Sequence, residues 1–449
     1  MNYFKTVRDL YRLKKQANLN IEEMHMLQER KLKALLHYAW EHSAYYRRTF
    51  EHAGIRENQL DTLPLSCFPT LDKGLLLGHF NELVTEPEVT QEELRKFDTE
   101  VSADRKPYKD NYHIVHSSGS TGTPGYFVYD EKAWSDMLLG IIRGALWDMS
   151  MPQILKLLLK RPRIVYIAAT DGRYGGAMAV GDGIDGLGAS QMYLDIKTPL
   201  DEWVRKLNEF RPNIVIGYPS AIKIMAELME KEKVHAEVVR VISCGEPLGA
   251  GLRNYLEEMF GTQIVNIYGA SESLALGVET DPEQGMLLFD DLNIIEVENG
   301  EMYLTCLYNF VQPLIRYRLS DRLTLEGAQA DSRYPFTKAI GLLGRNEDIL
   351  WFEDGNGKEE FLHPLAIEGF CIEGLKDYQF MQTEKDTFEM YAETSKEADR
   401  DYIREEMLRQ MRGILKEKNL GYVQFYVNFV EEILPDTRTG KKPLILHVA

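Results

Sequence analysis

Cysteine is scarce in this chain. Four occur in 449 residues, at positions 67, 244, 306 and 371, far apart and without any Cys-x-x-Cys pair. Such spacing excludes a disulfide framework and a cysteine-only zinc site, and the four read as small buried hydrophobes. Long apolar runs are also missing, so a transmembrane helix is excluded. The opening Met1-Asn2-Tyr3-Phe4-Lys5 has no continuous apolar signal core. A cytoplasmic location with no membrane partner is the resulting expectation. Positive charge is in deficit too: 52 Lys and Arg stand against 70 Asp and Glu, a net charge of −18. This argues against a general binder of nucleic acid or of anionic membranes, and any site for a polyanion must then be built locally.

The remaining composition is that of an ordinary globular protein, with 44% hydrophobic and 27% charged residues. The length exceeds one ordinary core, so two or more domains are expected. Residues 1–55 carry leucines and aromatics at helical spacing. Glu131 to Met149 reads as a helix and Arg163 to Ala168 as a buried strand. The glycine-rich stretch from Gly172 to Gly188 reads as a flexible pocket wall or a loop. Between 200 and 268, helical and strand patterns alternate: Trp203–Phe210, Asn213–Ile216, Ser220–Lys233, Val238–Ser243, Leu248–Phe260 and Gln263–Ile267. Alternation of this kind implies βαβ units and a parallel sheet under helical cover, with sites at the carboxyl ends of strands. From about 287 the pattern turns to β and suggests a small β subdomain. After a polar turn near Gly344 to Asp348, the last hundred residues read as a small β-then-α domain ending in a loop with Lys441 and Lys442.

One stretch organises the rest. His116-Ser117-Ser118-Gly119-Ser120-Thr121-Gly122-Thr123-Pro124-Gly125 lies between two strand-like runs, Tyr112–Val115 and Tyr126–Tyr129. Glycines let backbone N–H groups approach an anion, and hydroxyls add donors, so a triphosphate is a natural guest. The stretch is no Gly-x-x-x-x-Gly-Lys-Ser/Thr element entering a helix. Taken alone, it is as well explained by a solvated surface turn.

In order along the chain, these loops resemble the adenylate-forming ligase superfamily, most closely its phenylacetate–coenzyme A ligase family. Ser117 to Pro124 looks like the family's phosphate loop, so the resemblance puts Ser117, Ser118, Gly119, Ser120, Thr121 and Gly122 on phosphate. Gly245-Glu246-Pro247 looks like the adenine-side loop, and Tyr268-Gly269-Ala270-Ser271-Glu272 like the aromatic–glycine–acid motif. Ile315 to Asp321 looks like the ribose motif, Gly344 to Asp348 like the hinge, and Pro435, Thr437, Gly440 and Lys441 fit the carboxy-terminal lysine motif.

Each residue has its own chemistry and its own plain alternative. Glu272 can hold Mg²⁺ or be an acid at a helix start. Asp321 can accept ribose hydroxyls or pair with Arg318 or Arg322. Tyr268 can face a purine or simply pack in the core. Arg345 can fork onto a phosphate or ribose oxygen, or make a surface ion pair. Lys441 can reach the acid and the α-phosphate, or be a solvated tail charge.

The resemblance implies an α/β fold: a large N-terminal domain of βαβ-built sheets with a small β subdomain, residues 1–345, plus a small mobile α+β lid domain, residues 346–449. It implies two-step chemistry. A carboxylate attacks the α-phosphorus of Mg·ATP, giving an acyl-adenylate and pyrophosphate, and coenzyme A then displaces AMP. Lys441 and Glu272 would be the catalytic pair, and the lid would rotate between steps. The implied partners are ATP, Mg²⁺, coenzyme A and a small carboxylic acid, with a homodimer admitted. The acid itself is not readable; Tyr218, Ala270 and Asp171 to Gly176 are pocket candidates by position. An amine, alcohol or carrier-protein acceptor and a degenerate nucleotide binder remain as alternatives. Thr123 stands where the family has lysine, and Leu319-Ser320 where it has Thr-Gly. Thr280 and Leu288 fall near the positions of a Cys/His cluster in many relatives, so no zinc is expected.

Overall fold

The computed structural model describes residues 3–100, 107–116, 125–150, 152–154, 157, 162–170, 175–184, 189–281, 285–328, 332–343, 349–353, 357–367, 370, 372–433 and 444–446. Candidates Ser117 to Gly122, Arg345 and Lys441 lie outside these residues, as do Thr123 and the hinge residues 344–348.

The amino-terminal segment is helical, as its leucine spacing predicts, with helices Tyr3–Gln16, Ile21–His42 and Ala44–His52. Asn20 opens the second with a capping box: its side chain accepts from the Glu23 N–H at 2.8 Å, and Glu23 accepts from the Asn20 N–H at 3.0 Å. Strands β1 (Tyr112–His116) and β2 (Tyr126–Asp130) form an antiparallel pair on either side of residues 117–124. Asp130 then caps helix Glu131–Ala145, which ends four residues before the patterned stretch does.

The central sheet is built from β3 (Arg163–Ala168), β4 (Ser190–Asp195), β5 (Ile214–Gly217), β6 (Arg240–Cys244), β7 (Ile264–Ala270), β8 (Ser273–Glu279) and β9 (Met286–Leu288). After β10 (Asn293–Glu298), β11 (Glu301–Cys306) and β12 (Tyr317–Leu319), the strands β13 (Arg322–Glu326) and β14 (Lys338–Leu343) return to it. Its order is β13-β14-β9-β8-β7-β6-β5-β3-β4. The five strands from β7 to β4 are parallel, and the four from β8 to β13 are antiparallel. The parallel half carries helices Leu200–Phe210, Pro219–Glu230 and Ala250–Phe260. Its inner strands are apolar on both faces, with Val165, Ile167, Val215, Val241 and Ile264 fully or nearly fully buried.

The structure adds one strand to the sequence reading and corrects two of its elements. The edge strand β4 carries no clear alternation and was not expected. Residues Gly175–Ile184 of the glycine-rich stretch form a helix rather than a loop, because small residues let it lie close to Tyr166 and Leu274. The β-rich segment after 287 is divided: β10, β11 and β12 form a three-stranded antiparallel sheet, whereas β9, β13 and β14 extend the central one.

Two apolar clusters flank the central sheet. One joins the amino-terminal helices to Trp134, Met137 and Leu138. Across its floor Arg143, fully buried, forks onto Asp291 at 2.6 and 2.8 Å and lies over the Phe289 ring. The other cluster joins Trp203, Met225 and Leu256 to the carboxy-terminal residues. These comprise hairpin β15 (Leu350–Glu353) and β16 (Glu359–Leu362), then β17 (Leu375–Glu384), β18 (Thr387–Thr394), helix Arg400–Glu417, β19 (Gln424–Val430) and β20 (Ile445–Leu446). No helix among the described residues is long and apolar enough to cross a membrane.

Candidate active site

Parallel strands end in loops on one edge of the sheet, and three of those loops converge. Tyr218 follows β5, Gly245 follows β6, and Gly269 and Ala270 close β7. Together with helix Gly175–Ile184 they enclose a cavity of about 310 Å³ whose wall also includes Tyr166, Ser271 and Leu274. The lining is apolar and aromatic, with no charged side chain among the described residues. Glycine makes the cavity possible at close quarters. A Cβ on Gly176 would stand 2.3 Å from the Tyr166 hydroxyl oxygen. One on Gly245, whose φ is +80°, would stand 2.6 Å from the Tyr218 ring. Cys244 also lines the wall, but burial pushes its thiol up to about 12, which removes it as a nucleophile at neutral pH.

At the rim, the chain reverses from β7 into β8, with Ala270 opposite Ser273 and the pair Ser271-Glu272 forming the turn. Glu272 therefore stands in a hairpin turn, which replaces the reading of it as a helix-start acid. Tyr129, fully buried on β2, donates its hydroxyl to the Ser271 and Glu272 carbonyl oxygens at 3.0 and 2.9 Å. The strand that follows residues 117–124 thus holds the turn directly. The Glu272 carboxyl accepts from the Tyr317 hydroxyl, and burial pushes it up to about 7 in spite of that bond, with the Asp321 charge adding to the rise and Lys73 opposing it.

Tyr268 and Asp321, which belong to two motifs 53 residues apart, meet: the Tyr268 hydroxyl donates to Asp321 Oδ2 at 2.9 Å. Burial raises the Tyr268 phenol well above its ordinary value, so it stays a donor. Asp321 does not pair with Arg318, which reaches Asp72 and Glu301 instead. On the loop after β6, Glu246 Oε2 accepts from the Ser220 N–H at 3.2 Å. Its other oxygen lies 3.1 Å from Nε2 of the buried His363, outside hydrogen-bond geometry. Pro247 follows on the same loop, partly exposed.

The structure therefore gathers Gly245, Gly269, Ala270 and Ser271 on one cavity wall, sets Glu272 at its rim, and links Tyr268 to Asp321. Sequence reasoning missed Tyr129, Tyr166 and His363, and passed over Tyr317 inside a quoted motif. A tyrosine in a buried strand gives no sign of where its hydroxyl points. Among the described residues no group of three or more His, Cys, Asp or Glu side chains is placed to hold a metal ion.

A family model described as AMP-binding enzyme matches residues 24–301. The phenylacetate-coenzyme A ligase of Aromatoleum evansii is 25% identical over 372 residues, which cover 77% of this chain and 75% of that protein. The phenylacetate-coenzyme A ligase of Thermus thermophilus is 24% identical over 410 residues, 86% and 83% of the two chains. The indoleacetate–lysine synthetase of Pseudomonas savastanoi is 36% identical over 124 residues, 26% of this chain and 31% of that one. Among solved structures, 2-hydroxyisobutyryl-CoA ligase in complex with 2-HIB-AMP and CoA superposes with a TM-score of 0.63 at 19% identity, covering 96% of this chain and 92% of that one.

Proposed function

This chain belongs to the AMP-binding enzyme family, within the phenylacetate–coenzyme A ligase group of adenylate-forming enzymes, and from that premise we propose that it is an AMP-forming ligase joining a small, largely apolar carboxylic acid to coenzyme A. The acid is first activated with ATP to an acyl-adenylate, releasing pyrophosphate, and the coenzyme A thiol then displaces AMP.

The observation that carries this reading is the position of the apolar cavity. It sits at the carboxyl ends of β5, β6 and β7, and one of its walls runs straight into the turn that bears Glu272. An acid whose apolar body fills the cavity would present its carboxylate near that turn. The two tyrosines of the wall, Tyr166 and Tyr218, favour a flat ring over a charged side chain. Asp321, oriented by Tyr268, would accept the ribose hydroxyls, and Gly245, Glu246 and Pro247 would border the adenine.

The donor set at the turn suits a divalent cation. A desolvated carboxyl held at about 7 by burial gains from a neighbouring positive charge, and Mg²⁺ needs only one or two protein carboxylates beside phosphate oxygens. Glu272 would hold that ion, which would supply charge neutralisation on the phosphates. Residues 117–122 would cradle the phosphates, Arg345 would reach the nucleotide, and Lys441 would hold acid and α-phosphate together. Residues 346–449 would form the lid that carries Lys441, turning about the segment near 345.

The experiment is acid-dependent pyrophosphate release from Mg·ATP over a panel of phenylacetate, benzoate, indole-3-acetate and hexanoate, with and without coenzyme A. Release with one acid and faster turnover with coenzyme A is expected, and Lys441→Ala should abolish release. Release that ignores coenzyme A but responds to lysine would favour an amine acceptor, in line with the likeness to the indoleacetate–lysine synthetase. Failure of every acid, whether or not ATP binds, would overturn the reading.

A further inference from the structure

Among the described residues, His363 brings the carboxy-terminal side of the chain to the wall of the acid cavity. His363 follows β16 and is fully buried. Its ring stacks on Tyr218 with centroids 5.7 Å apart and planes 29° from parallel. Nε2 is 2.8 Å from the Ser220 hydroxyl oxygen and 3.1 Å from Glu246 Oε1. Tyr218 is thus held between His363 and Gly245, where the absence of a Cβ leaves room for the ring. Ser220 in turn gives its N–H to the second oxygen of Glu246. One imidazole therefore stacks on a ring that lines the acid cavity and, through Ser220, is linked to the acid of the adenine-side loop.

The hairpin that presents His363 is firmly seated. Phe361 meets Trp203 edge to face at 5.2 Å. Glu360 accepts from the Leu200 N–H at 2.6 Å and pairs with the buried Lys418 at 2.9 Å, while Lys418 also donates to the Thr198 carbonyl at 2.7 Å. These contacts seat the β15–β16 hairpin, and His363 with it, against helix Leu200–Phe210.

We propose that His363 is a positioning residue for both substrates of the first step. It acts on the acid through Tyr218 and on the adenine side through Glu246, so both sites keep their binding geometry only while the β15–β16 hairpin is docked. The inference rests on the ligase reading above and adds a residue to it. A residue that only held the fold together would lower stability without changing affinity. His363 will change affinity for acid and nucleotide together and leave the chemical step nearly intact.

The test uses the full chain and the panel acid with the highest kcat/KM. In His363→Ala, KM for the acid in pyrophosphate release and Kd for AMP by calorimetry should each rise about tenfold, the range expected on losing the buried hydrogen bond to Ser220 together with the stacked ring. The kcat should change less than about threefold. His363→Gln, whose amide can donate to or accept from the Ser220 hydroxyl, should restore both constants to within about threefold. Ser220→Ala should raise both about threefold, and it decides the matter should His363→Ala fail to fold. Unchanged KM and Kd in a variant that merely melts earlier would overturn the proposal, as would a large loss of kcat with unchanged binding. A wild-type protein that binds AMP but releases no pyrophosphate with any acid would defeat the ligase reading alone, since the AMP affinities of the variants still decide the role of His363.

Discussion

Replacing Tyr129 by phenylalanine tests whether the turn that bears Glu272 is held from β2. The hydroxyl is the only atom removed, and the ring keeps its buried place beside Trp134. What is lost is a donor to two carbonyl oxygens, those of Ser271 and Glu272, at 3.0 and 2.9 Å. Because one hydroxyl hydrogen serves both, the loss is that of a single shared bond plus the cost of acceptors left short of a donor, about 1–3 kcal/mol. At 1.36 kcal/mol per factor of ten, the same energy expressed in positioning lowers kcat/KM between about fivefold and about 150-fold. The loss will appear in acid-dependent pyrophosphate release, together with a higher Mg²⁺ concentration for half-maximal rate, because Glu272 lies on the loosened turn. Urea unfolding of the same variant measures the stability part. A variant that loses 1–3 kcal/mol of stability yet releases pyrophosphate at the wild-type kcat/KM and Mg²⁺ dependence would refute the argument that Tyr129 positions the turn.

Asp291→Ala should lower unfolding free energy by about 3–5 kcal/mol, because it strands the fully buried Arg143 charge; denaturant titration measures it, and a loss below about 1 kcal/mol would contradict the geometry. Gly245→Ala should cost about 1–2 kcal/mol for its left-handed backbone and raise KM for the acid, since Tyr218 must move; an unchanged KM would show that Tyr218 does not shape the pocket. Asp290 is pushed up to about 7 by burial, with the Thr337 N–H opposing the rise. The folded state therefore binds more protons than the unfolded one from about pH 4 to 7, so the carboxyl's contribution is lost as pH rises through 7. Asp290→Asn should gain stability relative to wild type between pH 5 and 8, read from urea midpoints; a pH-independent difference would contradict the assignment.

The sequence by itself determined the periodic elements and the order of the motifs. The runs at 164–168 and 240–243 are buried on both faces, and that leaves a local signature any window of residues records. The loops that leave β6 at Gly245 and β7 at Ser271-Glu272 are legible for the same reason, since their conformational needs are local. Strand β4 escaped because Ser190–Asp195 is an edge with partly exposed side chains and no strict alternation. The helix at Gly175–Ile184 escaped because glycine disfavours helices in isolation, and only packing on Tyr166 and Leu274 makes small residues fit there. Tertiary structure alone brought Tyr129 to the Glu272 turn, joined Tyr268 to Asp321, and set His363 against Tyr218 from 145 positions away. Those contacts depend on where the ends of distant strands meet, and a hydroxyl or an imidazole carries no mark in the chain of the partner it will find.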